Sequence, residues 1–137
     1  MRFLLLFLLS LPAHANSVTC LASTIFHESR GEPERARIHI VVNPTLNRAA
    51  DNLLGGYAAP GSRVLTSKLD VCKVIHAKGQ YSWKGLKYDE ESLTLAKSLL
   101  SKKFYTVGSR RFFNNKTLGI RYKTGVKPIT IASMVAY

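Results

Sequence analysis

An apolar pattern of helical spacing stops at a glycine and a proline, and this stretch constrains the fold most. The pattern consists of Val18, Leu21, Ala22, Ile25 and Phe26. It predicts an amphipathic helix that packs one face into a core. Gly31 is a typical helix terminator, and Pro33 suits the first turn of a following helix. The sequence therefore predicts two helices joined by a sharp bend.

Glu28 falls in the last turn of this predicted helix, beside apolar residues and just before the bend. Partial desolvation of a carboxyl group there raises its pKa and lets it hold a proton near neutral pH. A general acid needs that property. The alternative is a solvated helix-end residue paired with Arg30, and spacing alone does not separate the two.

Four blocks, in order, carry a resemblance to a known family. His27–Pro33 resembles the H/G-E-A-R-G-E-P signature of the SleB/CwlJ-type cell-wall hydrolases, and Leu46-Asn47-Arg48 resembles the L-N-R block of that family. Val71-Cys72 followed by Gly79–Trp83 resembles its V-C…G-Q-F-S-W block, and Phe112–Asn115 resembles its late aromatic-asparagine block. The resemblance covers nearly all of the chain after residue 15 and implies a lysozyme-like domain, with the catalytic Glu at a helix end facing a groove.

The first 15 residues have the pattern of a secretory signal peptide. Arg2 is a minimal basic region, Phe3–Leu11 is an apolar run, and Ala13-His14-Ala15 fits a small-x-small cleavage site. We expect a signal peptide over residues 1–15 and one catalytic domain over residues 16–137. The protein without its signal peptide would be exported to the periplasm or the extracellular space and would have no stable membrane anchor. An uncleaved signal anchor is the alternative.

Lysine and arginine number 20 against 8 acids, which gives a net charge of +12. Such a balance favours a polyanionic partner. An exported protein rarely meets nucleic acid, so anionic cell-envelope polymers fit better. We expect peptidoglycan as the partner, no nucleic acid, and a monomer.

The two cysteines, Cys20 and Cys72, are predicted to form a disulfide, because an even count in an exported chain favours one. That bond would tie the helix carrying Glu28 to the segment that leads towards Trp83. Two buried free thiols are the alternative.

The remaining patterns predict more helices and a small sheet. Four helices are expected. The first follows a cap at Asn16 or Ser17, and the second begins at Pro33 and is kinked or ended by Pro44. The third follows a capping-box-like Ser67-x-x-Asp70, and the fourth runs from Asp89 to Lys103. Ile38, Val41 and Val42 are expected on the inner face of the second helix. Asp51–Thr66 has the composition of a long surface loop, and Arg110–Asn115 and Ile129–Tyr137 are predicted to be extended. The fold expected is α+β and mainly helical, a single domain with a small β ribbon.

This chain departs from the family pattern in the second half of the predicted second helix, which begins at Pro33, and at the end of the chain. The spacing from Pro33 to Asn47-Arg48 is one residue longer than in the family, and one inserted residue rotates a helix by about 100°. At the end, the family has I-G-x-H-x-F-Y where this chain has Ile131–Tyr137, so the histidine is missing.

Glycosidases normally use two carboxylates. A lytic transglycosylase needs one, because a muramic-acid hydroxyl of the substrate attacks in place of water. Once helix starts are assigned, Glu28, Glu32 and Asp51 remain of the eight acids. We predict Glu28 as the catalytic residue, with Glu32 and Arg30 supporting it. The sequence also predicts a structural salt bridge between Glu32 and Arg30, Arg35 or Arg48.

Gln80-Tyr81-Ser82-Trp83 combines an amide, a phenol, a hydroxyl and an indole. Sugars are bound by such sets, since flat rings stack on sugar faces and amides bond to hydroxyls. We predict these four residues, with Asn47 and Asn114, to bind substrate; Phe113 and Asn115 would line the opposite side of the cleft. The alternative is a core tryptophan.

The four histidines predict no metal site. A zincin-like reading of His27-Glu28 fails because position 31, where the second ligand belongs, is Gly31. No cofactor is expected.

The sequence thus predicts an exported peptidoglycan hydrolase that cleaves the glycan strand between N-acetylmuramic acid and N-acetylglucosamine, by the lytic transglycosylase route. The alternative is a degenerate, non-catalytic relative that binds wall glycan or a lysis partner. Pro44, the extra residue before Asn47 and the missing histidine favour that alternative.

Overall fold

Helices form most of the fold, and two small antiparallel sheets complete it. The computed structural model describes residues 13–77, 81, 83, 85–118 and 124–137. The helical segments are α1 (Ala13–Ser29), α2 (Glu34–Ala36), a π-helical segment (Arg37–Val42), α3 (Asn43–Leu54), α4 (Val71–Ile75) and α5 (Glu90–Leu100), with 3-10 turns at Thr66–Lys68 and Lys116–Leu118. The strands are β1 (Arg63–Leu65), β2 (Phe104–Thr106), β3 (Phe113–Asn115), β4 (Ile129–Ile131) and β5 (Met134–Ala136). The predicted α+β, mainly helical class is confirmed.

Helix α1 buries the predicted apolar face. Leu21, Ala22 and Ile25 are fully buried in the main core, against α3, α4 and α5. The predicted helix start is wrong, however, since α1 begins at Ala13. Ser17 is no cap: its hydroxyl donates to the Leu69 carbonyl over 2.8 Å and accepts from the Val71 N–H over 3.1 Å. This buried serine joins α1 to the start of α4.

The apolar run Phe3–Leu11 lies outside the described residues, so its role as a signal peptide stays a prediction. Across the part of the chain that the structure does describe, none of the helices has both the length and the apolar character needed to span a bilayer.

The bend after α1 forms as predicted. Gly31 adopts a left-handed φ of 86°, and the Glu32 N–H donates to the Ser29 carbonyl over 3.0 Å. Pro33, in an extended conformation, precedes the first turn of α2.

Pro44 neither ends nor interrupts the second helical stretch, which continues to Leu54. The turn before the proline is π-helical, and the Asn43 N–H bonds to the Ile38 carbonyl five residues earlier. A π turn holds one residue more than an α turn, so the extra residue before Asn47 is accommodated within the helix. The inner face also differs from the prediction: Ile40, Val41 and Val42 are fully buried, whereas Ile38 is half-buried.

The segment Asp51–Thr66 is only partly the surface loop that its composition predicts. Asp51 lies within α3, and β1 forms at Arg63–Leu65 by pairing with β2. The predicted capping box at Ser67 is also wrong. Asp70 is the cap of α4, since its carboxylate accepts from the Lys73 N–H over 3.0 Å.

The predicted cap of α5 and the predicted C-terminal sheet are both confirmed. The Asp89 carboxylate accepts from the Ser92 N–H over 2.8 Å. In the second sheet β5 is central, with β3 and β4 antiparallel on its two sides. Its apolar residues pack with the π-helical segment in a second cluster that includes Ile40, Val41 and Met134.

The predicted disulfide is present. Cys20 and Cys72 are bonded, with Cα atoms 5.3 Å apart and 52 positions between them in sequence. The bond fixes α1 to α4, and α4 is the last helix before Trp83.

Candidate functional site

Glu28 and Trp83 form the centre of the site. Glu28 lies in the last turn of α1, and its Oε1 accepts a hydrogen bond from the Trp83 indole Nε1 over 2.9 Å. Among the described residues, the indole is the one donor to this carboxylate, and it engages only Oε1. No hydrogen bond from a described residue reaches Oε2.

Burial raises the pKa of Glu28, and the hydrogen bond from Trp83 lowers it by a smaller amount. Because burial dominates, the carboxyl group holds its proton to a higher pH than an exposed glutamate does. The last turn of an apolar helix thus produces the property that the sequence predicts for Glu28.

The His27 ring packs against one face of the Trp83 indole. Its ring stacks on Trp83 with centroids 4.5 Å apart and planes 17° apart, and it meets the Phe26 ring edge-on at 5.2 Å. Burial, followed by the charges of Lys87 and Arg30, lowers the pKa of His27, so the imidazole is neutral at neutral pH. One face of Trp83 is therefore covered by a neutral ring.

Tyr81 is the next aromatic residue beside Trp83. Its ring centroid lies 5.8 Å from that of Trp83 and 6.3 Å from that of Phe113, and its hydroxyl lies 3.1 Å from Thr45 Oγ1. Burial is the main cause that raises the pKa of Tyr81, and the Glu28 charge adds to it. Tyr81, Trp83 and Phe113 thus form a wall of neighbouring aromatic rings, of which Trp83 contacts Glu28.

Arg48 belongs to this wall, although the sequence analysis considered it only as a salt-bridge partner. Its guanidinium carbon lies 5.9 Å from the Tyr81 ring centroid and 6.0 Å from that of Phe112. Thr45 is three residues earlier on α3, so both side chains lie on the same face of the helix and reach Tyr81. Arg48 belongs to the L-N-R block, and Thr45 is three residues before it. This helical spacing is the sequence signal that could have identified both as neighbours of Tyr81.

Asn47, predicted to bind substrate, is buried, and its amide is used in packing. Its side chain is 1% exposed, and its Oδ1 accepts from the Gly108 N–H over 2.8 Å and from the Tyr105 hydroxyl over 2.5 Å. Its Nδ2 donates to the Arg110 carbonyl over 2.8 Å. Asn47 connects α3 to the segment after β2 and is a packing residue.

The other predicted binding residues have different positions. Asn114 is buried on β3, opposite Val135 of β5, so it is not an open groove residue. Phe113 lies beside Tyr81 as described, whereas Asn115 Oδ1 accepts from the N–H of Thr117 in a local turn. Gln80 and Ser82 lie outside the described residues.

Glu32 supports the bend, but through a different contact from the one predicted. Its Oε1 accepts a hydrogen bond from the Ser133 hydroxyl, and its carbonyl accepts from Arg37 Nε over 2.9 Å. The salt bridge predicted with Arg30, Arg35 or Arg48 is replaced, among the described contacts, by this bond to the β4–β5 turn. Arg30 lies 4.7 Å above the Phe26 ring instead of pairing with Glu28.

Other acids of the chain are held in ion pairs or border a cavity that Glu28 does not line. Asp51 forms an ion pair with Arg111, with Nε–Oδ2 2.8 Å and a second hydrogen bond at 3.0 Å. Glu91 pairs with Arg37 over 2.7 Å, and Glu34, Glu90 and Glu91 border a cavity of about 520 Å³ that Glu28 does not line. Glu28 is therefore the acid of this site.

Among the described residues, no group of three or more His, Cys, Asp or Glu side chains could hold a metal ion. The missing histidine of the C-terminal block corresponds to Met134, which is buried against Ala36, Ile40 and Val41. That position therefore contributes to packing in this chain.

Comparison with protein-family models, with curated proteins and with solved structures finds no significant match to this chain.

Proposed function

We propose that this chain is an exported enzyme that cleaves the glycan strand of peptidoglycan between N-acetylmuramic acid and N-acetylglucosamine, with Glu28 as its acid. The observation that carries the proposal is the Glu28–Trp83 pair. A carboxyl group with a raised pKa is oriented by an indole N–H and lies next to a wall of aromatic rings. Acid-catalysed cleavage of a glycosidic bond needs such a proton donor.

One carboxyl group is enough for the lytic transglycosylase route. Glu28 first gives its proton to the bridging oxygen as the bond from the muramic-acid C1 to that oxygen breaks. The Glu28 carboxylate then takes the proton of the C6 hydroxyl of the same muramic-acid residue, and the C6 oxygen bonds to C1. The products are a 1,6-anhydro sugar end and a free hydroxyl on the leaving strand, and Glu28 is protonated again. Asp51 and Glu91 are held in ion pairs with arginines, which supports this route over one that needs two carboxylates.

The aromatic wall supports a sugar polymer as the substrate. Because His27 covers one face of Trp83, sugar contacts fall to the remaining face, to its edge and to Tyr81. Aromatic rings with a polar group at one end suit the apolar faces and hydroxyl groups of sugars. The net charge of +12 adds a general attraction to anionic envelope polymers.

A non-catalytic glycan binder is the second candidate. It is favoured by Asn47, whose amide is used in packing, and by Met134, which occupies the position of the family histidine. Both features remove polar groups that the family pattern offers to a substrate.

The test is digestion of purified peptidoglycan by the full chain, purified after export, with the products read by mass spectrometry. Glu28→Gln is the test variant, since it keeps the size of the side chain and removes the acid. Glu90→Gln is the matched control, because Glu90 is an exposed acid in the first turn of α5.

Anhydro-muropeptides from the parent and from Glu90→Gln, and none from Glu28→Gln, are expected. Products with reducing ends would keep Glu28 as the acid and replace the intramolecular attack by hydrolysis. No products from any of the three folded proteins, with glycan binding retained, would overturn the enzyme and leave the binder.

A further inference from the structure

The outer face of the β1–β2 ribbon is an exposed surface that combines cations with an aromatic ring. In the antiparallel pairing, Arg63 lies opposite Thr106 and Leu65 opposite Phe104, so these four side chains share one face. Val64 and Tyr105 lie on the other face and pack with the core. The outer face is open: Phe104 is 42% exposed, and Arg63 and Thr106 are exposed as well.

Phe104 is flanked by two cations. The Arg63 guanidinium carbon lies 4.3 Å from its ring centroid, and Lys103 Nζ lies 5.5 Å from it. Lys68 and Lys102 are exposed on the segments that follow β1 and precede β2. Thr66 holds these segments together, since its N–H donates to the Lys103 carbonyl over 3.1 Å and its hydroxyl donates to the Lys102 carbonyl. The ribbon therefore presents an exposed aromatic ring between two cations, and two further exposed lysines lie on the adjoining segments.

The charges of the chain are separated along α5. The acids Asp89, Glu90 and Glu91 are at its start, and Lys102 and Lys103 follow its end. A helix of 11 residues spans roughly 16 Å, so the two groups are well apart. The acid nearest to the ribbon in sequence is Asp70, which caps α4. The ribbon end of the molecule is thus strongly positive.

The same end of the molecule receives the start of α1. Ser17 bonds to the Leu69 carbonyl, three residues after Thr66. At the opposite end of α1 lies the bend, where Arg37 links the Glu32 carbonyl to Glu91 of α5. The described start of α1, which follows the apolar stretch Phe3–Leu11 in sequence, therefore lies at the ribbon end, and Ser17 is roughly 16 Å along α1 from Glu28.

We propose that the outer face of the β1–β2 ribbon docks on an anionic phospholipid bilayer. Its cations match the negative surface of such a bilayer, and each cation near that surface strengthens binding. Phe104 and Leu65 match the apolar part of the interface, which a dissolved polyanion does not offer. While the apolar stretch is attached and in the membrane, this face is turned towards the lipid, and Glu28 is at the far end of α1. The proposal is independent of the reaction at Glu28.

The test is co-sedimentation of the exported protein, without the signal peptide, with two kinds of vesicle. One kind contains phosphatidylcholine alone, and in the other about a third of the lipid is phosphatidylglycerol. The variants are the charge double variant Arg63→Gln with Lys103→Gln, and Phe104→Ser. Their matched controls are Lys127→Gln and Leu54→Ser, an exposed cation and an exposed apolar residue outside the ribbon.

The parent and both controls are expected to sediment with the anionic vesicles and not with the neutral ones. The charge double variant should lose about tenfold or more in affinity, and Phe104→Ser several-fold. If the double variant loses binding and Phe104→Ser does not, the ribbon is a general polyanion site and the lipid proposal is wrong. Equal binding by the parent and all variants, with unchanged circular dichroism, overturns the ribbon as the docking surface.

Discussion

The indole N–H of Trp83 donates to Oε1 of Glu28 over 2.9 Å, across 55 positions of the sequence. Glu28 lies in the last turn of α1, and Trp83 follows α4, which the Cys20–Cys72 bond fixes to α1. The protonation of the acid thus depends on a tertiary contact that the disulfide helps to position.

Trp83→Phe tests how this contact tunes the acid. Phenylalanine keeps an aromatic ring against His27 but has no N–H to stabilise the carboxylate. The pKa of Glu28 should therefore rise further, since hydrogen bonds to the charged form lower a pKa. Carbon NMR titration of the Glu28 carboxyl measures the change. Tyr57→Phe, at an exposed ring, is the control and should leave that titration in place. A fall in the Glu28 pKa in Trp83→Phe would contradict the assigned role.

Stability against pH gives a second measurement on Glu28. Its pKa is raised by folding, so between its ordinary value and the raised value the folded protein binds more protons than the unfolded chain. The free energy of unfolding then falls as the pH rises through this window. Glu28→Gln has no such dependence, so its melting temperature relative to the parent should increase from about pH 4 to pH 8. Glu90→Gln reports the effect of losing an exposed carboxylate. A difference that does not change with pH, or that shrinks as the pH rises, would contradict the buried acid.

Local patterns predicted the parts of the fold that depend on neighbouring residues. The apolar face of α1, the bend at Gly31, the cap at Asp89 and the extended C-terminal segments each follow from a few adjacent side chains. Glu28 was found in the same way, because its burial follows from the apolar spacing of its own helix.

Tertiary context decided the surroundings of three residues that local patterns did not predict. Asn47 is polar and next to Arg48, and nothing local indicates that β2 and the segment after it bond to its amide. Ser17 has the composition of a cap but bonds to Leu69 instead. Pro44 has the local signal of a helix end, and a π turn before it preserves the helix. In each case a contact distant in sequence, or a change of helix type, outweighed the local signal.

Asp51→Asn should destabilise the protein by about 3 kcal/mol, since breaking an ion pair leaves the largely buried Arg111 charge without its counter-ion. The Asp51 side chain is 25% exposed, and its carboxylate also accepts from the Ala58 N–H over 2.8 Å. Glu91→Gln is the comparison, because it breaks the other ion pair at a side chain that is 71% exposed. With solvent screening taken into account, that loss should be below about 1 kcal/mol. Urea unfolding measures both, and equal losses would contradict the difference in burial.

Ala132→Gly should stabilise the protein by about 1 kcal/mol, because alanine at positive φ is strained and glycine is not. Ala132 has φ 54° as the first of the two residues in the β4–β5 turn, a position that type II′ turns reserve for glycine. Ala59→Gly is the control: it is an exposed loop alanine without positive φ, so glycine should lower stability slightly. Thermal unfolding decides, and a lower melting temperature for Ala132→Gly would refute the strain.

Removal of the disulfide should lower stability and loosen the site together. The double variant Cys20→Ala with Cys72→Ala releases a cross-link that spans 52 positions, which on the chain-entropy model costs about 4 kcal/mol. Because the same bond holds α1 against α4, the Glu28–Trp83 contact should also become less constrained, and the pKa of Glu28 should move towards its ordinary value as its burial decreases. Urea unfolding measures the first effect, and carbon NMR titration of Glu28 under folding conditions measures the second. The parent chain with its disulfide reduced is the control for the change of side chain. If stability falls and the Glu28 titration is unchanged, the disulfide stabilises the fold but has no part in positioning the acid.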